Sequence, residues 1–207
     1  MGTIHEVKKL TDLSYLNMYQ LRATSIHQTP VVYNVASRAG EIQNLKLKTH
    51  ENQPDGVIIY SLYGEKADRV VLVRQYRYTI DDYIYEFPAG LVEPGEDFRQ
   101  AAVREMREET GLTLRPIPVA EGYEKPYFTT IGMTDESCAT VYGYAEGQVD
   151  KTGQESSEEI EIVLADRQEV RRILREEKAA IMCAYMLMHF LDETKDPFAF
   201  LKKPLNI

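Results

Sequence analysis

The chain has 207 residues, 43% of them hydrophobic, which is enough for one domain with an accessory element or for two small domains. Its 33 acidic residues outnumber the 24 lysines and arginines, and the formal net charge is −9. This balance argues against a broad surface for binding nucleic acid. An anionic ligand can bind such a chain only where metal ions or a few arginines neutralise the repulsion locally.

The N-terminal region is predicted to form a small β-element. Patterns typical of strands cover residues 14–22 and 31–36, and a polar turn near 27–30 joins them. A polar segment, 37–56, follows and links these strands to the rest of the chain. We therefore expect residues 1–50 to form an N-terminal β-element and residues 51–207 to form the main domain.

The main domain alternates strand and helix patterns. Strands are predicted at 57–62, 70–73, 84–87, 119–123, 139–145 and 160–164. A helix is predicted over 97–110, with Gly111 at its end. Asp166 begins a second helix, with Glu169 as a possible capping partner, and a third covers 179–192. This order predicts the α/β (α+β) class, with a mixed sheet sandwiched by helices.

The sequence favours a cytoplasmic protein. The first ten residues carry charges and no apolar signal core. The longest apolar stretch, 179–191, is too short to span a bilayer. Cys138 and Cys183 stand in no metal-ligand spacing, so we expect buried thiols without disulfides. We expect no contact with membranes.

Three glutamates share one face of the first predicted helix. Glu105, Glu108 and Glu109 fall within an arc of roughly 100°, because each residue turns an α-helix by about 100°. Their mutual repulsion destabilises the helix unless a cation binds among them, and Mg²⁺ prefers oxygen ligands of this kind. The glutamates alone are more typical of a solvated acidic face than of a metal site, so the surrounding residues decide between the two interpretations.

The surrounding residues form a spaced motif. The segment from residue 90 to residue 112 reads Gly, five residues, Glu, seven residues, Arg-Glu-Met-Arg-Glu-Glu-Thr-Gly-Leu. This pattern matches, at every defined position, the signature of the Nudix hydrolase family. Chance would give such a match with a probability on the order of one in ten million. The chain therefore resembles a Nudix hydrolase, and the resemblance implies the Nudix fold.

The resemblance also implies a metal site. Glu105 and Glu109 would be the principal ligands of Mg²⁺, with Mn²⁺ as a possible substitute. Glu108 would assist directly or through water, and the backbone carbonyl of Ala89 would add a ligand. Arg104 is expected to orient the glutamates. Glu96 suits the start of the helix and a supporting role.

Motifs outside the signature resemble the ADP-ribose pyrophosphatase subfamily of Nudix hydrolases. They are VRQYR at 73–77, YEFPAG at 85–90, LNMY at 16–19 and YNVASR at 33–38. The resemblance implies a homodimer whose N-terminal strands pack or exchange across the subunits, with the active site between them. Arg38 and Arg77 would bind substrate phosphate or ribose. Glu86 would lie on the side of the active site that faces the substrate or the metal.

Two further residues are assigned through this resemblance. Tyr33 occupies the place where some relatives carry a tryptophan that stacks on adenine, so it either stacks or packs in the dimer interface. Residues 130–137 resemble the loop that carries the catalytic glutamate of the subfamily. Glu136 is therefore the candidate general base, and Asp135 is the next candidate. Ile131 stands where the subfamily often has proline. This difference affects the prediction of the substrate more than the prediction of the reaction.

Other groups of residues are predicted to be structural. Glu158, Glu159 and Glu161 form an acidic run before a strand, which is typical of a solvated edge. The methionines at 182, 186 and 188 are predicted to pack in the core or in an interface, and the four histidines show no ligand spacing.

The predicted function is Mg²⁺-dependent hydrolysis of the diphosphate bond of ADP-ribose or a related nucleoside diphosphate sugar. The products would be a nucleoside monophosphate and a sugar phosphate. One alternative is another substrate, such as GDP-mannose, UDP-glucose or a dinucleoside polyphosphate. Another is a regulatory module that binds a nucleotide sugar without turnover, although every ligand position is intact. The expected partners are the small nucleotide sugar and a second copy of the chain, and not nucleic acid.

Overall fold

The computed structural model describes residues 1–192 and 196–202. The strands are β1 (Thr3–Lys9), β2 (Asn17–Thr24), β3 (Pro30–Ser37), β4 (Gly56–Tyr63), β5 (Arg69–Arg77), β6 (Asp82–Glu86), β7 (Ala89–Leu91), β8 (Thr113–Pro116), β9 (Tyr127–Phe128), β10 (Ser137–Glu146) and β11 (Ile160–Ala165). The helices are α1 (Lys46–Thr49), α2 (Phe98–Thr110), α3 (Glu121–Glu124), α4 (Arg167–Glu176) and α5 (Ile181–Asp192), with 3₁₀ turns at Ile42–Asn44 and Ala199–Lys202. Two compact units are present: Met1–Asp55 with Pro126–Cys138, and Gly56–Lys125 with Ala139–Ile207.

The first unit contains an antiparallel sheet in the order β1-β2-β3. Its core is formed by Tyr19, Leu21 and Val35 of the strands and by Leu45, which precedes α1. The two predicted strands and the turn between them are confirmed, with ends that differ by up to three residues. The segment 37–56, predicted as a polar link, instead holds a 3₁₀ turn and α1, and Leu45 between them is fully buried.

Strand β1 lies where the sequence pattern predicted no strand. Its residues are mostly exposed, so it carries no alternation of buried and exposed side chains. Backbone pairing with β2 forms the strand, from Thr3 opposite Thr24 to Lys9 opposite Tyr19. Such pairing depends on a partner strand and leaves little trace in the local sequence.

The second unit places its sheet between helices on both faces. The strand order is β11-β5-β4-β10-β8, with β6 paired to β5 and β7 paired to β4. Alternate residues of β4 face opposite layers. Val57 and Ile59 pack with Ala102 and Met106 of α2, whereas Tyr60 and Leu62 belong to a cluster with buried residues of α4 and α5. The predicted α/β class, with a sheet sandwiched by helices, is confirmed.

The strand predicted at 119–123 is wrong. The chain forms β8 earlier, at Thr113–Pro116, where it pairs antiparallel with β10. Val119 and Tyr123 are apolar because they pack on the core from a loop and from the short helix α3. The apolar side chains that pack on the core from this irregular backbone gave the sequence the alternating apolar pattern of a strand.

The remaining helix predictions differ in detail. The Asp166 carboxylate caps α4 by accepting the N–H groups of Gln168 and Glu169, but the Glu169 carboxylate binds Arg172. Cys183 is buried in α5 and Cys138 is half-buried, and burial raises the pKa of both thiols to about 12. Among the methionines of α5, Met186 packs against the core, and Met182 and Met188 are exposed. In the part of the chain that the structure describes, no helix has the length and apolar character needed to cross a bilayer.

Candidate functional site

Helix α2 carries the glutamates and is fixed at both ends. The Asp97 carboxylate caps its start by accepting the Arg99 N–H at 2.9 Å. Gly111 ends it with a positive φ of 73°, as its position in the sequence predicted. Ala101, Ala102 and Met106 are fully buried against the sheet. This packing sets the rotation of the helix and therefore the direction of its glutamates.

Glu109 is a buried carboxylate, with only 3% of its surface exposed. Its Oε2 atom accepts the N–H of Ala89 at 3.2 Å. Burial raises the pKa of Glu109 well above its ordinary value of 4.5, and repulsion from Glu158 and Glu105 raises it further. A buried carboxylate that faces other carboxylates is stable in its charged form only with a cation nearby.

Glu105 lies against the start of the signature. A Cβ atom built on Gly90 would stand 1.9 Å from the carboxyl carbon of Glu105. The glutamate therefore occupies the space that any other residue at position 90 would need. Burial also raises the pKa of Glu105, and the Arg104 guanidinium opposes that rise. A side chain at position 90 would therefore move the Glu105 carboxylate from this position.

Arg104 orients the acidic side chains around it. Its Nε and Nη2 atoms donate to the two oxygens of Glu96 at 3.1 and 2.9 Å. Its Nη1 atom donates to Glu105 at 2.8 Å and to Glu108 at 3.0 Å, and Nη2 also reaches the carbonyl of Leu91 at 3.0 Å. These contacts hold the pKa of Glu96 below its usual value. They agree with the orienting role expected for Arg104 and the supporting role expected for Glu96.

The fit of these residues to a divalent cation follows from their chemistry. Within residues 1–192 and 196–202, no three His, Cys, Asp or Glu side chains converge closely enough to hold a metal ion by themselves. Arg104 holds Glu105 and Glu108 as its own ion pairs. Mg²⁺, however, needs only one or two carboxylates, because phosphate and water complete its coordination. Glu105 and Glu109 therefore fit a cation that binds together with a phosphate ligand.

Arg77 and Glu86 form an ion pair on neighbouring strands. The Nε atom of Arg77 lies 2.6 Å from Oε2 of Glu86. Arg77 shares a strand face with Val71, which packs on α2, because alternate residues of a strand point the same way. Burial raises the pKa of both Glu109 and Glu158, and the positive charge of Arg77 opposes that rise. Arg77 therefore lies in the same electrostatic environment as the glutamates of α2.

Glu158 is the residue of this site that sequence reasoning missed. It was predicted to be solvated, but it is half-buried, and burial followed by repulsion from Glu155 raises its pKa. It also repels Glu105 and Glu109. The other acids of the run have partners on the sheet: Glu159 accepts the Tyr83 hydroxyl, and Glu161 pairs with Arg74 at 3.1 Å. The sequence feature that could have pointed to Glu158 was the acidic run just before an edge strand.

The first unit holds the remaining candidates. The Arg38 guanidinium donates from Nε at 2.8 Å and from Nη2 at 2.7 Å to Oε1 of Glu136. The Thr129 hydroxyl donates to the other oxygen of Glu136 at 3.1 Å. The Tyr33 hydroxyl donates to the carbonyl of Gly132 at 2.5 Å, and its side chain is 42% exposed. Thus Arg38 and Glu136 are brought into contact, and Tyr33 contacts the loop that carries Glu136.

The candidates therefore fall into two groups. The second unit holds the backbone of Ala89 and the side chains of Arg77, Glu86, Glu105, Glu108 and Glu109, with Glu158 added by the structure. The first unit holds Tyr33, Arg38 and Glu136.

Comparison with known proteins identifies the family of the chain. Residues 52–185, well over half of the chain, match the NUDIX domain. The chain belongs to the Nudix family, as the signature predicted.

Three relatives illustrate the range of the family. Putative nudix hydrolase 2 of Caenorhabditis elegans is 32% identical over 126 residues, 58% of this chain and 55% of the relative. ADP-ribose pyrophosphatase of Saccharomyces cerevisiae is 33% identical over 108 residues, covering 51% and 47% of the two chains. NAD-capped RNA hydrolase NudC of Mycobacterium tuberculosis is 30% identical over 138 residues, covering 62% and 42%. The chain spans about half the length of these curated relatives.

A solved structure confirms the fold over most of the chain. The crystal structure of an ADP compounds hydrolase superposes with a TM-score of 0.65 and covers 93% of this chain and 92% of its own. The sequence identity is 15%, so this similarity concerns the fold alone.

Proposed function

We propose that the chain hydrolyses the diphosphate bond of ADP-ribose or of a related nucleoside diphosphate sugar, in a reaction that depends on Mg²⁺. The observation that carries the proposal is the buried Glu109 carboxylate, which faces Glu105 and Glu158 and requires a cation to stay charged. Similarity to the ADP-ribose pyrophosphatase of yeast supports the substrate class. The products are AMP and ribose 5-phosphate when the substrate is ADP-ribose.

The metal would be held by Glu105, Glu109 and the carbonyl of Ala89, with Glu108 assisting. A divalent ion bound there supplies charge neutralisation for the diphosphate and a lower pKa for a bound water. Arg77, held by Glu86, binds a phosphate oxygen through its guanidinium. Attack of water forms a new bond to one phosphorus, and the bridging oxygen leaves with the electron pair of the broken bond.

Two glutamates are candidates for the general base. Glu136 is the candidate that family resemblance indicates, but both of its oxygens already accept hydrogen bonds, from Arg38 and Thr129. Glu158 shares the environment of Glu105 and Glu109, and its raised pKa favours acceptance of a proton. We propose Glu158 as the base, with Glu136 retained as the alternative that the experiment must exclude.

The first unit is proposed to contribute to substrate binding and assembly. Arg38 would bind phosphate or ribose, and Tyr33 would either stack on the base or pack in a homodimer interface. Exposed apolar side chains on β2 and β3, Met18 and Val32 among them, support an interface on this sheet. A size measurement in solution tests the homodimer, and a cytoplasmic location stays a prediction.

The test of the proposed function is a hydrolysis panel, measured with saturating Mg²⁺ and again in EDTA. The substrates are ADP-ribose, GDP-mannose, UDP-glucose, diadenosine polyphosphates and an NAD-capped RNA, the last because of the similarity to NudC. We expect the highest kcat/KM for ADP-ribose, with no turnover in EDTA or in Glu109→Gln. Preference for another substrate would keep the chemistry and change the specificity. Binding without turnover would favour the regulatory module.

A further inference from the structure

The C-terminal end of α2 is capped by a distant loop. The last four carbonyl groups of any α-helix lack partners within the helix and must find them elsewhere. Here the Asp150 N–H donates to the carbonyl of Thr110 at 2.9 Å. The side-chain amide of Gln154 donates from Nε2 to the carbonyl of Glu109 at 2.7 Å. The loop after β10 thus binds the backbone of the residue whose carboxylate is the proposed metal ligand.

The same loop approaches the helix closely at Gly153. A Cβ atom built there would lie 3.0 Å from the carbonyl oxygen of Glu108 and 3.2 Å from its Cα atom. These distances are shorter than ordinary van der Waals contact, so a Cβ atom at this position would require the loop or the helix to shift by a few tenths of an ångström. Gly153 and Gln154 together hold the loop against the last turn of α2.

The loop continues from this attachment to Glu158. Its base is closed by Lys151, whose Nζ atom donates to the carbonyl of Ile160 at 3.0 Å. The Gln154 N–H donates to the carbonyl of Lys151 at 3.2 Å, and the Glu158 N–H donates to that of Glu155 at 3.0 Å. Only three residues separate Gln154 from Glu158. The attachment therefore limits how far the Glu158 carboxylate can move from the glutamates of α2.

We propose that Gln154 is a positioning residue, which fastens the loop to the carbonyl of Glu109 and so holds Glu158 beside the carboxylates of α2. Gly153 makes the attachment possible by allowing the close approach. This inference rests on the proposed function, in which Glu158 acts on the attacking water. Because a misplacement of about 1 Å can cost roughly 100-fold in rate, a single side-chain amide is sufficient to matter.

The competing role for Gln154 is that of a plain helix cap. A plain cap stabilises α2 as a whole, so its loss would lower the melting temperature and weaken Mg²⁺ binding. A positioning residue acts on the loop instead. Its loss lowers kcat, leaves KM and the Mg²⁺-dependent rise in melting temperature unchanged, and speeds amide hydrogen exchange only within residues 150–158.

The experiment compares the variant Gln154→Met with wild type. Methionine is close to glutamine in size and lacks the N–H donor. The control is Ser156→Ala, an exposed residue of the same loop. We expect kcat to fall roughly 10- to 100-fold in Gln154→Met with KM unchanged. Amide exchange of the loop should accelerate, and Ser156→Ala should match wild type. Gly153→Ala, which keeps Gln154, should change both quantities in the same direction and by less, because its added Cβ needs only a small shift.

Several outcomes would overturn the proposal. Wild-type kcat and loop protection in Gln154→Met would show that the bond positions nothing. Loss of Mg²⁺-dependent stabilisation in that variant would assign Gln154 to a plain cap. If wild type hydrolyses no member of the substrate panel, the proposed function fails. Faster loop exchange in Gln154→Met would then show an attachment without a role in catalysis.

Discussion

The carboxylates of the second unit and the Glu136 carboxylate of the first unit lie in contrasting environments. Glu105, Glu109 and Glu158 are partly or fully buried and repel one another, so the pKa of each is raised. Glu136 instead accepts bonds from Arg38 and Thr129, and its charge is balanced within the protein. Glu105 pairs with Arg104, but the buried Glu109 carboxylate requires a cation to stay charged, whereas Glu136 already pairs with Arg38. Metal dependence should therefore belong to the second unit.

The largest expected effect is that of Glu109→Gln, which removes the most buried carboxylate of this group. Metal catalysis contributes several kcal/mol to stabilising the transition state. We therefore expect kcat to fall by about 1,000-fold or more. The melting temperature in EDTA should not fall, since glutamine removes an unfavourable buried charge. Steady-state kinetics and thermal unfolding measure the two quantities.

The matched control for this variant is Glu161→Gln. Glu161 is exposed and pairs with Arg74 on the same sheet, so its neutralisation should leave kcat within about twofold of wild type, as for a surface ion pair. Turnover by Glu109→Gln within tenfold of wild type would contradict the metal assignment.

The second prediction compares the two candidate bases. Loss of a general base typically costs about 100- to 10,000-fold in rate. We expect Glu158→Gln to lower kcat by at least roughly 100-fold. Glu136→Gln should act mainly on KM, because it weakens the ion pair that orients Arg38. Measurement of kcat and KM for both variants distinguishes the roles, and the reverse pattern would restore Glu136 as the base.

The sequence predicted α2 and the placement of its glutamates because the signature is local. Repeats of three and four residues put Glu105, Glu108 and Glu109 on one face. Helix ends at Asp97 and Gly111 were also visible in the local sequence. These features depend on residues fewer than fifteen positions apart.

The loop part could not be predicted because it depends on tertiary contacts. Gln154 of this loop binds the carbonyl of Glu109, 45 residues away in the sequence, and Glu158 follows in the same loop. Nothing in the acidic run itself distinguishes Glu158 from Glu159, which contacts Tyr83 instead. Strand β1 was missed for a related reason, since pairing with β2 rather than burial forms it.

The third prediction concerns stability in the presence of metal. A ligand at about ten times its Kd stabilises the native state by roughly 1.4 kcal/mol. For a chain of this size we expect Mg²⁺ to raise the melting temperature by roughly 3–6 °C relative to EDTA. The rise should disappear in Glu109→Gln and persist in Glu136→Gln, which lies in the first unit. An equal rise in both variants would place the metal outside the glutamates of α2.

The smallest expected effect is a pH dependence of stability in EDTA. The pKa of Glu109 is raised in the folded state, so the folded protein binds this proton more tightly than the unfolded chain. The resulting stability is fully present below the ordinary value of 4.5 and is lost as the pH rises through the folded pKa. Unfolding scans over this range should show wild type losing stability relative to Glu109→Gln as the pH rises. In Mg²⁺ the stability of wild type relative to Glu109→Gln should instead increase as the pH rises, because metal ligands must be deprotonated. A stability difference between wild type and Glu109→Gln in EDTA that does not change with pH would contradict the burial of a titrating carboxylate.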